Sequence, residues 1–69
     1  MNISETLKHI RKVSFLSQAA LAKELGVAYS TVNRWETGKT IPNYQALKKI
    51  DSFCKKNAID ININDALEA

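Results

Sequence analysis

The chain has 69 residues, which is room for one small domain, and its 45% hydrophobic and 25% charged residues are typical of a folded globular protein. A single cysteine excludes an intrachain disulfide and argues against a metal cluster. No apolar run approaches the roughly 20 residues that span a bilayer, and the N-terminus lacks a signal-peptide pattern. We therefore expect a cytoplasmic protein with no membrane segment.

The net charge of +3 is distributed unevenly. Residues 1–56 carry all ten Lys and Arg against four acidic residues, whereas residues 57–69 carry three acidic residues and no basic one. The basic charge of residues 1–56 favours a polyanionic partner, because the neutralisation of phosphates by Lys and Arg supplies much of the affinity for nucleic acid. The charge alone does not single out nucleic acid, since many soluble domains are equally basic.

The first half of the chain predicts two helices. Apolar residues at i, i+4 and i+7 predict a helix over residues 2–13, opened by a capping box of Asn2 and Glu5. Ser17 is a good N-cap for a second helix over residues 18–25. Gly26 ends that helix, because glycine enters the left-handed region without steric penalty.

Two further helices follow. The third, over residues 28–37, buries Val32 and Trp35 by its periodicity, and Gly38 closes it. Its outer face carries Tyr29, Ser30, Asn33 and Arg34. The fourth, over residues 44–56, is capped by Asn43 and has an apolar side of Tyr44, Leu47, Ile50 and Phe53, with Tyr44 half-buried. Its lysines (Lys48, Lys49, Lys55 and Lys56) form a solvated face, Cys54 acts as an inert small hydrophobe, and His9 in the first helix is a surface residue.

The C-terminal segment admits two interpretations. Ile59, Ile61 and Ile63 alternate with polar residues, which is the period of a strand. Residues 65–68 can instead begin a fifth helix capped by Asn64. The isoleucines either cover the first or fourth helix or, over residues 59–67, form a dimer contact. The whole pattern predicts an all-α fold, a compact bundle of four to five short helices.

The second and third helices meet at a steep angle around one glycine turn, which is the helix-turn-helix arrangement. Ala22 lies at their crossing, where a larger side chain would hold the helices apart. We place this core at about residues 17–37, and residues 57–69 form a dimerisation or capping segment.

The motif residues resemble a known family. They are Leu16-Ser17-Gln18, Leu21-Ala22, Leu25-Gly26-Val27, Thr31-Val32, Trp35-Glu36, Gly38-Lys39 and Pro42. At this spacing, over about residues 3–54, they resemble the phage-repressor type of helix-turn-helix, the Cro/C1 or XRE group. The resemblance implies a lambda-repressor-like domain that binds operator DNA.

The resemblance also implies roles for individual residues. Phosphate contacts are expected from Ser17, Gln18, Lys39, Thr40 and Asn43. Base reading in the major groove is expected from Tyr29, Ser30 and Arg34, and Asn33 joins them because it lies on the same helix face. Arg34 can contact guanine O6 and N7 with two hydrogen bonds. Structural roles are expected for Arg11, Ala22, Gly26, Val32, Trp35 and Glu36, with Arg11 and Glu36 forming an ion pair.

Two positions depart from the family pattern. Ala28 stands where Ser or Thr usually caps the third helix, so that a capping bond is lost unless Ser30 or Thr31 replaces it. Phe15 replaces a small residue after the first helix, and we expect it to add to the core.

These observations predict one domain over residues 1–69, a transcriptional regulator of prokaryotic or phage type, acting as a repressor. Its partner is double-stranded DNA, a palindromic operator bound by a homodimer. No carboxylate pair, glycine-rich phosphate loop or nucleophile motif is present in the sequence, so we expect no enzymatic activity, cofactor, metal or small-molecule ligand. Two alternatives stay open: an antitoxin-like or adaptor module that binds a protein, and the N-terminal domain of a longer protein.

Overall fold

The computed structural model describes residues 2–63 and Ala66. Four helices follow one another: α1 (Ile3–Val13), α2 (Gln18–Leu25), α3 (Tyr29–Glu36) and α4 (Tyr44–Lys56). Helix α3 packs against both α1 and α2, and α4 packs against α2. The predicted all-α bundle is confirmed, and the predicted helix limits are correct to within one residue at each end.

Three of the four helices begin with a side-chain cap. The side-chain oxygens of Asn2, Ser17 and Asn43 each accept a hydrogen bond from the backbone N–H three residues further on. These bonds satisfy N–H groups that have no partner inside the helix. Ala28, which precedes α3, makes no such bond, so the helix that carries the predicted base-reading residues begins without a side-chain cap.

All four helices end in the same backbone motif. In each helix, a residue at the C-cap or directly after it has a positive φ. The N–H of this residue donates to the carbonyl three residues earlier, and the N–H of the following residue donates to the carbonyl five residues earlier. The residues with positive φ are Gly26 (70°), Gly38 (77°), Phe15 (57°) and Ala58 (55°). Glycine adopts this conformation freely, whereas Phe15 and Ala58 are strained by their Cβ atoms.

The core is formed by the inward faces of all four helices. Its buried apolar residues in the helices are Ile3, Leu7, Ile10, Leu21, Ala22, Leu25, Val32, Trp35, Ala46, Ile50, Phe53 and Cys54. Val32 is 0% and Trp35 5% exposed, so both belong to this core. Helix α3 thus has one fully buried side, and its opposite side faces solvent.

Two aromatic residues lie outside the core, contrary to prediction. Phe15 is 95% exposed, because the left-handed turn at the end of α1 directs its side chain into solvent. Tyr44 is 74% exposed rather than half-buried. It is the first residue of α4, and Lys48 lies one turn later with its Nζ atom 5.7 Å from the ring centroid, a cation–π contact.

The segment after α4 folds back onto the core. Ile59 and Ile61 are half-buried, and Ile63 and Ala66 are buried in the same cluster as the helix residues. Within residues 57–63 the alternating pattern forms no strand. These side chains cover the molecule's own helices, which was one of the two interpretations of the pattern. Ile63 and Ala66 are helical, and the Ala66 N–H donates to the Asn62 carbonyl at 3.3 Å. The remainder of the predicted fifth helix, with its cap at Asn64, lies outside the described residues.

Candidate nucleic-acid interface

The exposed side of α3 carries three of the four predicted base-reading residues. Tyr29, Ser30 and Arg34 are exposed, with Tyr29 55% accessible. Val32 and Trp35 occupy the opposite side of the same helix and are buried. A helix of 3.6 residues per turn separates these two sets, so α3 is anchored by one side and presents polar groups on the other.

The crossing of α2 and α3 depends on small residues. Ala22 is 2% exposed, and its carbonyl accepts a hydrogen bond from the N–H of Val27 at 3.0 Å. Gly26 lies in the left-handed conformation between the two helices. The chain therefore changes direction within the three residues that separate the end of α2 from the start of α3.

An ion pair connects the end of α3 to α1. The Arg11 Nε atom donates to Glu36 Oε2 at 2.9 Å, and its Nη2 atom donates to Glu36 Oε1 at 3.0 Å. The carboxylate raises the pKa of the Arg11 guanidinium through these hydrogen bonds and its negative charge, against the opposing effect of burial. The Ser4 hydroxyl also donates to the backbone carbonyl of Glu36 at 2.6 Å. Both helices are thereby fixed to each other at this end.

The hydrogen bonds continue from Glu36 to α2. The Gln18 Nε2 atom donates to Glu36 Oε1 at 3.1 Å, and the Asn33 Nδ2 atom donates to Gln18 Oε1 at 3.2 Å. Gln18 and Asn33 are both half-buried. The first residue of α2 is thus held by two residues of α3. Because the amide nitrogen of Gln18 carries two hydrogens, its bond to Glu36 leaves one of them to donate elsewhere.

The other predicted phosphate-binding residues lie at two places. Ser17 caps α2 beside Gln18, while Lys39, Thr40 and Asn43 lie in the loop between α3 and α4. Lys39 is exposed, Thr40 is half-buried, and the backbone N–H groups of both bond the Arg34 carbonyl. The Asn43 side chain is exposed but its oxygen caps α4. The structure brings each group to the protein surface, one at the start of α2 and the other in the loop after α3.

Sequence reasoning missed the link from Asn33 through Gln18 to Glu36. Asn33 and Glu36 are three residues apart, so they share a side of α3. The expected pairing of Glu36 with Arg11 was therefore a signal that Asn33 faces the same region. The polar character of Asn33 and its place beside Arg34 suggested an outward direction instead.

Residues 2–63 and Ala66 contain no group of His, Cys, Asp or Glu side chains that could hold a metal ion. No helix among them is both long and apolar enough to cross a membrane.

Residues 7–61 match the helix-turn-helix family. The chain belongs to this family. The match covers most of the chain and includes α2, the glycine turn and α3. The predicted resemblance to the phage-repressor type of helix-turn-helix is confirmed.

Two curated relatives of this helix-turn-helix protein carry regulatory names. The chain is 38% identical over 53 residues to the HTH-type transcriptional activator BcrR of Enterococcus faecalis, covering 77% of this chain and 26% of the relative. It is 31% identical over 70 aligned positions to the cryptic phage CTXphi transcriptional repressor RstR of Vibrio cholerae, covering 90% of this chain and 62% of the relative. The chain thus spans 26% and 62% of the lengths of these relatives. No solved structure matches the chain.

Proposed function

We propose that the protein binds double-stranded DNA in a sequence-specific manner and regulates transcription. The observation that carries this proposal is the two-sided character of α3, with Val32 and Trp35 buried and Tyr29, Ser30 and Arg34 exposed. The major groove is wide enough to admit such a helix. Membership of the helix-turn-helix family and the regulatory names of two relatives support the proposal.

Within this proposal, Arg34 reads a guanine through its O6 and N7 acceptors, a contact that contributes about 1–3 kcal/mol of discrimination. Tyr29 contacts a thymine methyl group or a phosphate, and Ser30 hydrogen-bonds a neighbouring base edge. Asn33 was expected to read a base as well. Because its amide donates to Gln18, we assign it instead to orienting Gln18.

We place the phosphate contacts at two positions in the chain. At the start of α2 the Ser17 hydroxyl and the Gln18 amide bind a phosphate with the N-terminus of that helix. In the loop after α3 Lys39, Thr40 and Asn43 follow the sugar-phosphate backbone. Contacts of this kind position the protein on the duplex, while the α3 side chains supply specificity.

We further propose a homodimer on a palindromic operator, because one module of this size reads too few base pairs for a unique site. Binding across a promoter excludes RNA polymerase without any further surface, so repression is the direction we favour. The protein would act in the cytoplasm, where prokaryotic DNA lies, and without an enzymatic activity. Since Ile63 and Ala66 are buried in the monomer's own core, the dimer contact must use other groups.

The proposal is tested by selecting duplexes from a random pool with the purified 69-residue chain. We expect an inverted repeat with half-site centres about 10 base pairs apart. Arg34→Ala should flatten the preference at one base pair, and Lys39→Ala should weaken binding to all sequences alike. Lys55→Ala, in the last turn of α4 on its solvated face, is the matched control and should leave the motif and its affinity unchanged. Failure to enrich any duplex, or an Arg34→Ala motif identical to that of the wild type, would contradict the proposal.

A further inference from the structure

Phe15 carries two structural penalties that the fold itself does not require. Its backbone is left-handed, with φ of 57°, at a position where glycine would be free of strain. Its side chain is 95% exposed, so the aromatic ring gains nothing from the core. A strained backbone that carries a fully exposed aromatic ring points to a contact outside the monomer.

The location of Phe15 identifies the kind of surface it can meet. It lies two residues before Ser17, so their Cα atoms are at most about 7 Å apart. Successive phosphates along one strand of B-DNA rise by about 3.4 Å. The ring therefore lies within about two nucleotides of any phosphate bound at the N-terminus of α2.

The neighbours of Phe15 are basic. Its N–H bonds the carbonyl of Lys12, which is exposed in the last turn of α1. Lys8 lies one turn earlier in the same helix and is also exposed. An exposed ring beside cationic groups fits the sugar-phosphate backbone, which alternates an anion with the apolar face of a deoxyribose. An acidic protein surface would satisfy the lysines but would leave the ring without an apolar partner.

We propose that Phe15 packs its ring against a deoxyribose of the bound duplex, next to the phosphate held by Ser17 and Gln18. This inference rests on the proposed DNA binding and adds a contact that carries no base information. The ring extends the anchoring of α2 from one phosphate to the adjoining sugar. It therefore strengthens binding to every sequence by a similar factor.

The test compares Phe15→Gly with Ala58→Gly. Both substitutions relieve the same left-handed strain, but Ala58 follows α4, whereas Phe15 lies two residues before the cap of α2. On the duplex selected by the wild type, Phe15→Gly should bind about threefold to tenfold more weakly, the range expected for one aromatic contact. Ala58→Gly should bind like the wild type, and Phe15→Tyr should retain most of the affinity.

Hydroxyl-radical footprinting at saturating protein locates the contact, because the radical attacks deoxyribose. We expect Phe15→Gly to lose protection at one or two sugars per half-site while the rest of the footprint persists. An unchanged footprint and affinity would overturn the inference, as would a uniform loss of protection in a variant whose urea unfolding shows an intact fold. A change in sedimentation with an unchanged footprint would assign the ring to a second copy and also overturn it. If the wild type selects no duplex, it is the proposed function that fails.

Discussion

Arg11 and Glu36 form a two-bond ion pair in which the two partners differ sharply in exposure. The Glu36 side chain is 1% exposed and that of Arg11 is 21% exposed. Two parallel hydrogen bonds of 2.9 and 3.0 Å join them. The two possible truncations are therefore unequal: removal of the arginine leaves a buried carboxylate, whereas the arginine left without its partner can reach water.

We expect Arg11→Met to lower the free energy of unfolding by about 3–5 kcal/mol, since it strands a buried charge. Glu36→Gln should lower it by only about 1–3 kcal/mol, because the neutral amide retains a hydrogen-bonding oxygen. Urea denaturation followed by circular dichroism measures both values.

Lys12→Met is the matched control for the arginine substitution, because Lys12 is exposed in the same turn of α1. It should change the free energy of unfolding by less than about 0.5 kcal/mol. Equal losses for Arg11→Met and Glu36→Gln would show that burial of the carboxylate does not govern the stability of this pair.

A substitution of Asn33 distinguishes the proposed phosphate contacts from the proposed base-reading contacts. Because its amide donates to Gln18 at 3.2 Å, Asn33→Ala should release the Gln18 side chain and weaken its phosphate contact. Loss of one hydrogen bond of ordinary strength predicts affinity reduced about threefold to tenfold for every sequence. Titration of the selected duplex and of single-base variants measures the effect.

The comparison with Arg34→Ala supplies the control for Asn33→Ala. The arginine variant should lose discrimination at one base pair, while the asparagine variant should keep the wild-type ranking of the single-base variants. An altered ranking for Asn33→Ala would mean that this side chain contacts a base edge directly, as its sequence position first suggested.

Local sequence signals were sufficient to predict the helices. The apolar period of α1 and the cap residues Asn2, Ser17 and Asn43 act within one or two turns, so their effect does not depend on the tertiary fold. Phe15 shows where this reasoning fails. Hydrophobicity predicted burial, but the position after a helix C-cap fixes the backbone in a left-handed turn and directs the side chain outward.

The candidate site was predicted less completely than the helices for a geometric reason. The exposed and buried sides of α3 follow from its period, so Tyr29 and Trp35 were assigned to the correct sides. The bond from Asn33 to Gln18 depends on the angle between α2 and α3, which no local pattern specifies. Only the expected pairing of Glu36 with Arg11 gave indirect information about that region.

The uncapped start of α3 offers a stabilising substitution. Ala28 has the extended backbone of an N-cap residue but no side-chain oxygen to accept from the first turn. Ala28→Ser should therefore raise the free energy of unfolding by about 1 kcal/mol, measured by urea denaturation. Ala19→Ser, at an exposed position in the first turn of α2 that is not a cap, should change it by less than about 0.5 kcal/mol. A loss of stability in Ala28→Ser would contradict the assignment of Ala28 as the cap.

The two strained helix ends give a second stability prediction. Phe15→Gly and Ala58→Gly should each raise the free energy of unfolding by about 1 kcal/mol, because each removes a Cβ atom from a left-handed residue. The sites belong to different helix ends, so the effects should add in the double variant. Lys8→Gly, at an exposed position in the interior of α1, should instead lower stability by about 0.5–1 kcal/mol. A destabilised Phe15→Gly would show that the ring supports the fold after all.

Cys54 gives the stability an alkaline dependence. Burial raises the pKa of its thiol, and the carboxylate of Asp51 raises it further. In the unfolded chain the thiol ionises at its ordinary pKa near 8.5, so above that pH the unfolded state loses a proton that the folded state retains. The stability contributed by Cys54 is therefore fully present below the unfolded pKa and is lost as the pH rises towards the folded one. We expect the difference in unfolding free energy between the wild type and Cys54→Ala to shrink between about pH 7 and pH 10. A difference that stayed constant or widened would mean that the buried thiol ionises as readily as a free one.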